Sequence, residues 1–166
     1  MGLFDRLTGT KRPDSDVEPR PAAELRAALL ALDSPDQPFT VRDGAPEEAD
    51  VVAEWRMAEP RWRGIFYDSQ LTRAFKIRMR LVPDDHLVRA LDEHWEVKWI
   101  EGVPTLGEYG RGPAPTTSVH WTIGRGADGE RETTETFRFE SGTMKDPLRD
   151  TVLKHGWAWK GVLGKP

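Results

Sequence analysis

Two runs of strict alternation, separated by a turn, constrain this chain more than anything else in it. Phe75, Ile77, Met79 and Leu81 alternate with Lys76, Arg78 and Arg80. A period of two places the four apolar side chains on one face of a strand and the three cations on the other. Pro83, Asp84 and Asp85 then break the pattern, as turn residues do. The chain returns over 87–91 and enters a second alternation, in which Trp95, Val97 and Trp99 share one face and His94, Glu96 and Lys98 the other. The reading is an antiparallel hairpin, or three strands if Asp92-Glu93 is itself a turn. A loop over 83–87 sets Phe75 opposite Trp95 and Arg78 opposite Asp92. One face gains an aromatic pair and the other an opposite-charge pair, each worth about 0.2–1 kcal/mol.

Local signals supply the remaining elements. Residues 1–12 can form a short helix with Leu3, Phe4 and Leu7 on one side and Lys11-Arg12 behind it, a conceivable membrane-surface anchor. Arg6 stands where a myristoylation signal needs Ser or Thr. Residues 8–20 are polar and proline-bearing, so 1–20 reads as a flexible tail before a single domain over 21–166. A helix over 21–32 opens on Pro21, repeats Leu25, Leu29 and Leu32, and stops at Ser34-Pro35. Strands are expected over 39–42 and 49–57, with helix as the competing assignment for the second; 58–74 reads as irregular or partly helical. Gly102, Gly107, Gly110 and Gly112, with Pro104, Pro113 and Pro115, mark 101–117 as a long loop. Strands over 118–124 and 133–140 flank an Asp128-Gly129 hairpin turn. In the last helix Asp146 can cap, Pro147 fits the first position and Gly156 stops. Leu148, Val152 and His155 line one stripe of it, and WAWKGVL follows as a final strand. This order predicts an α+β fold. Its antiparallel, strongly twisted or rolled sheet has about six to seven strands, with an N-terminal helix and a helix before the last strand.

The totals bound the function. There is no cysteine among the 166 residues, hence no disulfide framework, thiolate zinc site or cysteine nucleophile, which fits a cytoplasmic setting. No run approaches the ~18 apolar residues of a membrane span, and the first residues lack the pattern of a secretory signal. A net charge of −4 argues against bulk nucleic-acid binding. Tryptophan is the outlier: seven residues, five of them in expected strands, which core packing explains most simply and a stacking-walled pocket explains as the alternative.

Residues 55–80 hold Arg56, Arg61, Arg63, Arg73, Lys76, Arg78 and Arg80 against only Glu59 and Asp68, with Trp62, Phe66 and Tyr67 interspersed. Such a segment can bind phosphates and stack bases. The simpler reading is a solvated strand face balanced by Asp92 and Glu96 across the hairpin. His94 and Glu96 share a strand face that His120 can join from a neighbouring strand, the makings of a metal set. His-x-Glu is common by chance, however, and no metal or other cofactor is expected. No G-x-S-x-G elbow, P-loop or G-x-G-x-x-G occurs, and the glycines of GEYGRG are wrongly spaced. No catalytic residue is therefore assigned, although acid–base sites are geometric and leave no motif.

The stretches RWRGIFYDSQLTRAFKIRMRL, VRALDEHWEVKWIEGVP and PLRDTVLKHGWAWKGV resemble segments of small bacterial proteins of uncharacterised function, over roughly the last two-thirds of the chain. The resemblance implies a bacterial origin and one compact domain, and brings no activity, cofactor or catalytic residue with it. The expected function is a non-catalytic binding or adaptor domain. Its surface combines Arg61, Trp62, Arg63, Phe66 and Tyr67 with the 102–117 loop, because Trp, Tyr and Arg dominate binding hot spots. Arg78 and Arg80 extend its cationic side. The alternative is a small-molecule pocket, catalytic or not, with a Trp-lined cavity and polar contacts from His94, Glu96 and His120. A peripheral membrane protein anchored by 1–12 is the weakest reading. A protein or a small anionic ligand is the expected partner, and the oligomeric state is open.

Overall fold

The computed structural model describes residues 10–112, 119–125, 131–138 and 141–166, with side chains over 10–112 and 142–166. Three helices lie among these residues: α1 (Ala22–Leu30), α2 (Pro60–Asp68) and α3 (Ser141–Lys154). The strands are β1 (Phe39–Asp43), β2 (Val51–Trp55), β3 (Arg73–Val82), β4 (Leu87–Ile100), β5 (Val103–Arg111), β6 (Val119–Arg125), β7 (Arg131–Arg138) and β8 (Ala158–Val162). The α+β class, the N-terminal helix and the helix before the last strand are as the sequence predicts. The expected turn at Asp128-Gly129 and the side chains of His120 and Trp121 lie outside the described residues.

Strands β1 to β5 form an antiparallel sheet in chain order, and β8 joins it beside β4. Strand β4 is 14 residues long, which lets one edge serve two neighbours. Its first half pairs with β8 from Leu87↔Ala158 to Leu91↔Val162, and its second half pairs with β5. The β8 pairing is parallel, a departure from a wholly antiparallel sheet. A helical crossover such as α3 permits a parallel neighbour, which a tight hairpin never can. Strands β6 and β7 form a separate two-stranded sheet.

The central hairpin is present, but slipped by one residue from the expected register. Val82 pairs with Leu87 around a 3-10 turn at Pro83–Asp85, closed by His86 in the left-handed region at φ 45°. Phe75 therefore faces His94, and Arg78 faces Leu91. Because directly opposed residues share a face, the slip brings Glu93 and Trp95 to the face of Lys76 and Arg78. It sends Asp92 and His94 to the face of Phe75 and Ile77. Asp92-Glu93 is no turn; the strand runs straight through it.

The helices cover the apolar face. Leu25 and Leu29 of α1, Trp62 and Phe66 of α2, and Met144, Leu148 and Val152 of α3 are buried at helical spacing. They pack in one cluster with Phe39, Val41, Val51, Ala53, Trp55, Ile77, Met79, Val88, Ala90, Trp157 and Trp159. Helix α3 begins at Ser141, so Asp146 does not cap it and Pro147 lies in its interior. An interior proline costs about 3 kcal/mol. Two tertiary contacts offset that cost: Met144 buries beside Phe75 and Ile77, and Lys145 Nζ lies 2.7 Å from Asp92 Oδ2. Gly156, at φ 76°, ends the helix where a Cβ would lie 2.5 Å from the Glu18 carbonyl oxygen. Segment 10–20 lies against this end of the sheet: Lys11 bridges Trp159, and Trp157 Nε1 donates to the Arg20 carbonyl at 2.7 Å.

The expected 101–117 loop is a strand over Val103–Arg111. Glu101 and Gly102, at φ 52° and 77°, make the two-residue turn between β4 and β5. Pro104 is tolerated because β5 has no further neighbour among the described residues. Among these residues, no helix is long and apolar enough to cross a membrane.

Candidate binding surface

The face of the sheet away from the helices carries a continuous polar and aromatic ladder. Arg42 on β1 lies 2.9 Å from Glu54 on β2, and Glu54 lies 3.4 Å from Lys76 on β3. Glu47, from the turn before β2, takes Lys76 Nζ at 2.7 Å and Arg42 at 3.3 Å. Arg78 Nε donates to Glu93 Oε1 at 2.7 Å, and the Tyr109 hydroxyl donates to Glu93 Oε2. Arg111 Nε in turn donates to the Tyr109 oxygen at 2.8 Å. Burial of Glu93 is thus matched by a cation and a hydroxyl donor, as a buried carboxylate requires. Partial burial pushes the Glu47 carboxyl up, but the hydrogen bond and charge of Lys76, with Arg42, outweigh it and hold the group below the usual range.

Aromatic rings continue the ladder. Trp95 and Tyr109 meet in a tilted contact, 5.3 Å between centroids. Lys76 Nζ sits 5.6 Å from the Trp95 ring and the Arg111 guanidinium 5.8 Å from the Tyr109 ring. Two clefts meet at Lys76. One, of about 400 Å³, is charged and lined by Pro46, Glu47, Glu48, Arg78 and Glu93. The other, of about 270 Å³, runs between Met57 and the pair Trp95 and Leu106, over Ala74. Beyond them the β4–β5 hairpin exposes Ile100, Val103, Leu106 and Tyr109.

The residues expected to form one surface fall into three places. Trp62 is 2% exposed and Phe66 fully buried, so the expectation that they form part of a binding surface is corrected. Helix α2 turns both rings onto the sheet, where Trp55 meets Phe66 at 5.9 Å, and Trp62 Nε1 is satisfied by the Pro35 carbonyl. Arg63 donates to the carbonyls of Met57 and Ala58, while Arg61 lies over Trp62 at 5.6 Å. Tyr67 remains exposed, its ring edge-on to Trp99. Arg78 belongs to the ladder, and Arg80 donates to the Glu48 carbonyl. The buried Arg56 binds Asp33, Glu59 and the carbonyls of Ser34 and Gln37.

The cations concentrated at 55–80 are thus largely met by carboxylates and carbonyls from distant segments. A bare anion-binding patch does not result. Glu93, Trp95, Tyr109 and Arg111 were not legible as a group, because the long-loop reading of 101–117 removed β5 from the sheet. The near-alternation of Leu106, Glu108 and Tyr109 was the available signal.

His94 and Glu96 line a third cleft, of about 610 Å³, with Arg73, Lys98, Glu108 and Tyr109. Arg73 Nη1 lies 3.3 Å from His94 Nδ1. Burial and then the Arg73 charge hold the His94 imidazole below its usual range, with Asp92 pulling the other way. Among the described residues, no group of three or more His, Asp or Glu side chains is arranged to hold a metal ion. Comparison with known proteins returns no likeness: no family model matches the chain, and neither a curated protein nor a solved structure is detectably similar to it.

Proposed function

We propose that this chain is a non-catalytic binding domain that captures a partner protein through the side chains of the β4–β5 hairpin. One observation carries the reading. Of the six large apolar side chains exposed among the described residues, Ile100, Val103, Leu106 and Tyr109 lie on that single hairpin. Leu106 and Tyr109 share the face of Val97 and Trp95, while Ile100 and Val103 pair on the opposite face at the tip, and such clustering of exposed apolar side chains on one hairpin marks an interaction surface. Trp95, Tyr109 and Arg111, the residue types that anchor interfaces, are interlocked at its base. Their order is established before binding, which lowers the entropic cost of association.

Side-chain contact is favoured over addition of a strand to the β5 edge. Pro104 lacks a donor, and an irregularity opposite Trp95/Glu96 breaks the register. Both are devices that blunt an edge. The test is affinity for the partner isolated with the intact protein. Leu106→Asp and Ile100→Asp are each expected to weaken binding about 30-fold, the scale of a 2 kcal/mol hot spot, with unfolding midpoints unchanged. Wild-type affinity in both variants overturns the reading.

The cleft between Met57 and Trp95 supports a second reading, a small molecule with a flat apolar body resting on Ala74. Its volume lies just under the ~300 Å³ where ligand pockets begin. A saturable fluorescence change that disappears in Trp95→Phe is the signature of that ligand.

A further inference from the structure

The geometry points to an acid-sensitive latch: protonation of His94 releases strand β5 from β4. His94 sits on β4 between two neighbours, paired with Phe75 of β3 on one side and Gly110 of β5 on the other. A Cβ at position 110 would lie 2.4 Å from His94 Cε1 and 2.6 Å from Nε2, so the ring rests directly on the β5 backbone. Toward β3, Nδ1 faces Arg73 Nη1 at 3.3 Å. A guanidinium only donates, so Nδ1 accepts and the proton of the neutral ring is on Nε2.

Protonation turns Nδ1 into a donor facing a donor and sets two cations side by side. The groups around the ring offer little relief. On β4, Asp92 is held by Lys145 from α3 at 2.7 Å, and Glu96 and Lys98 lie 4.0 Å from each other. On β5, the Tyr109 hydroxyl is committed to Glu93, which leaves Glu108 at the cleft margin. The ring must move away from Arg73, and on the β5 side that movement presses on the backbone at Gly110. Strand β5 is the part that can yield, since β4 is its only strand neighbour among the described residues. Gly112 N donates to the Asp92 carbonyl at 2.8 Å, so the far end of β5 stays tied and loosening runs from Gly110 toward the hairpin tip. Resting on the binding reading above, acid then dismantles the Trp95–Tyr109 anchor and weakens partner capture.

Amide hydrogen exchange tests the latch without any partner. Between about pH 7 and pH 5, the range of histidine titration, protection of the Gly110 amide, which faces β4, is expected to fall, after correction for intrinsic rates, while β1 and β2 stay protected. His94→Gln should flatten the profile. Arg73→Met should shift it to higher pH, together with the His94 titration followed by NMR. Constant protection in the wild type, or an unchanged profile in His94→Gln, overturns the latch. Should His94→Gln fold poorly, a His94 titration that Arg73→Met leaves in place overturns it equally. If β5 exchange is flat while capture still depends on the hairpin, the latch fails and the binding reading stands; the reverse result separates them the other way.

Discussion

Two stretches of this chain combine tryptophan, tyrosine and arginine, and they end in opposite circumstances. On α2, Trp62 is 2% exposed and Arg63 is spent on carbonyls of its own chain. On the β4–β5 hairpin, Tyr109 is 48% exposed and Ile100 62%. Composition is nearly the same, so composition does not decide the outcome. An amphipathic helix has a sheet to lie on, and its rings turn inward. On the hairpin, Trp99 meets Tyr67 of α2, but Ile100, Val103, Leu106 and Tyr109 stay exposed. The lesson is that an aromatic and arginine-rich stretch becomes a surface only where the fold leaves it without an apolar neighbour.

The contrast can be broken most forcefully at Trp62. Trp62→Ala is expected to cost about 3–5 kcal/mol in urea unfolding, as large core truncations do, whereas Tyr109→Ala should cost far less. Equal costs would erase the distinction. Next comes Glu93, at the base of the hairpin. Removing one partner of a buried ion pair costs about 3–5 kcal/mol, and since Arg78 is partly exposed, Glu93→Gln belongs at or below the lower end. A double-mutant cycle with Arg78→Met should then recover part of the loss.

Stability should also depend on pH in two stages. The folded His94 pKa is lowered from 6.5, so the unfolded chain takes up the proton first. Stability is complete above pH 6.5 and declines as pH falls below it toward the folded value. Glu47 is lowered from 4.5, and its contribution is lost as pH falls through 4.5 and on through its folded value. A urea-midpoint profile in His94→Gln should lack the first stage and keep the second. The smallest expected effect is that of Ile100→Ser, within about 0.5 kcal/mol, because the side chain is already in water. A strong destabilisation there would show that the hairpin tip is structural and not a contact surface.

Much of the fold was legible because its signals are local. Leu25 and Leu29, or Leu148 and Val152, announce a helix face within two turns, and the alternation over 75–81 announces a strand without reference to any partner. Where the reading failed, a distant contact outweighed a local preference. Pro147 and Asp146 look like a helix start, yet Met144 and Lys145 find Phe75 and Asp92 and draw the helix nearly two turns further back, to Ser141. Gly107, Gly110 and Pro104 look like a loop, yet an edge strand beside β4 accepts them, and Gly110 is where the His94 ring lies.

The sequence by itself determined the α+β class, the central hairpin, the first and last helices and the strand that follows the last one. Each is encoded by periodicity and end signals within a dozen residues. Only the tertiary structure decided the rest: the one-residue register of β3 on β4, the parallel seat of β8, the partners of the 55–80 cations, and which aromatic stretch reaches solvent. These outcomes turn on pairings between residues far apart in the chain, such as Arg78 with Glu93, Lys76 with Glu47 and Trp159 with Lys11. Opposite charges and apolar surfaces are interchangeable along a sequence, and only their positions in space select which of them meet.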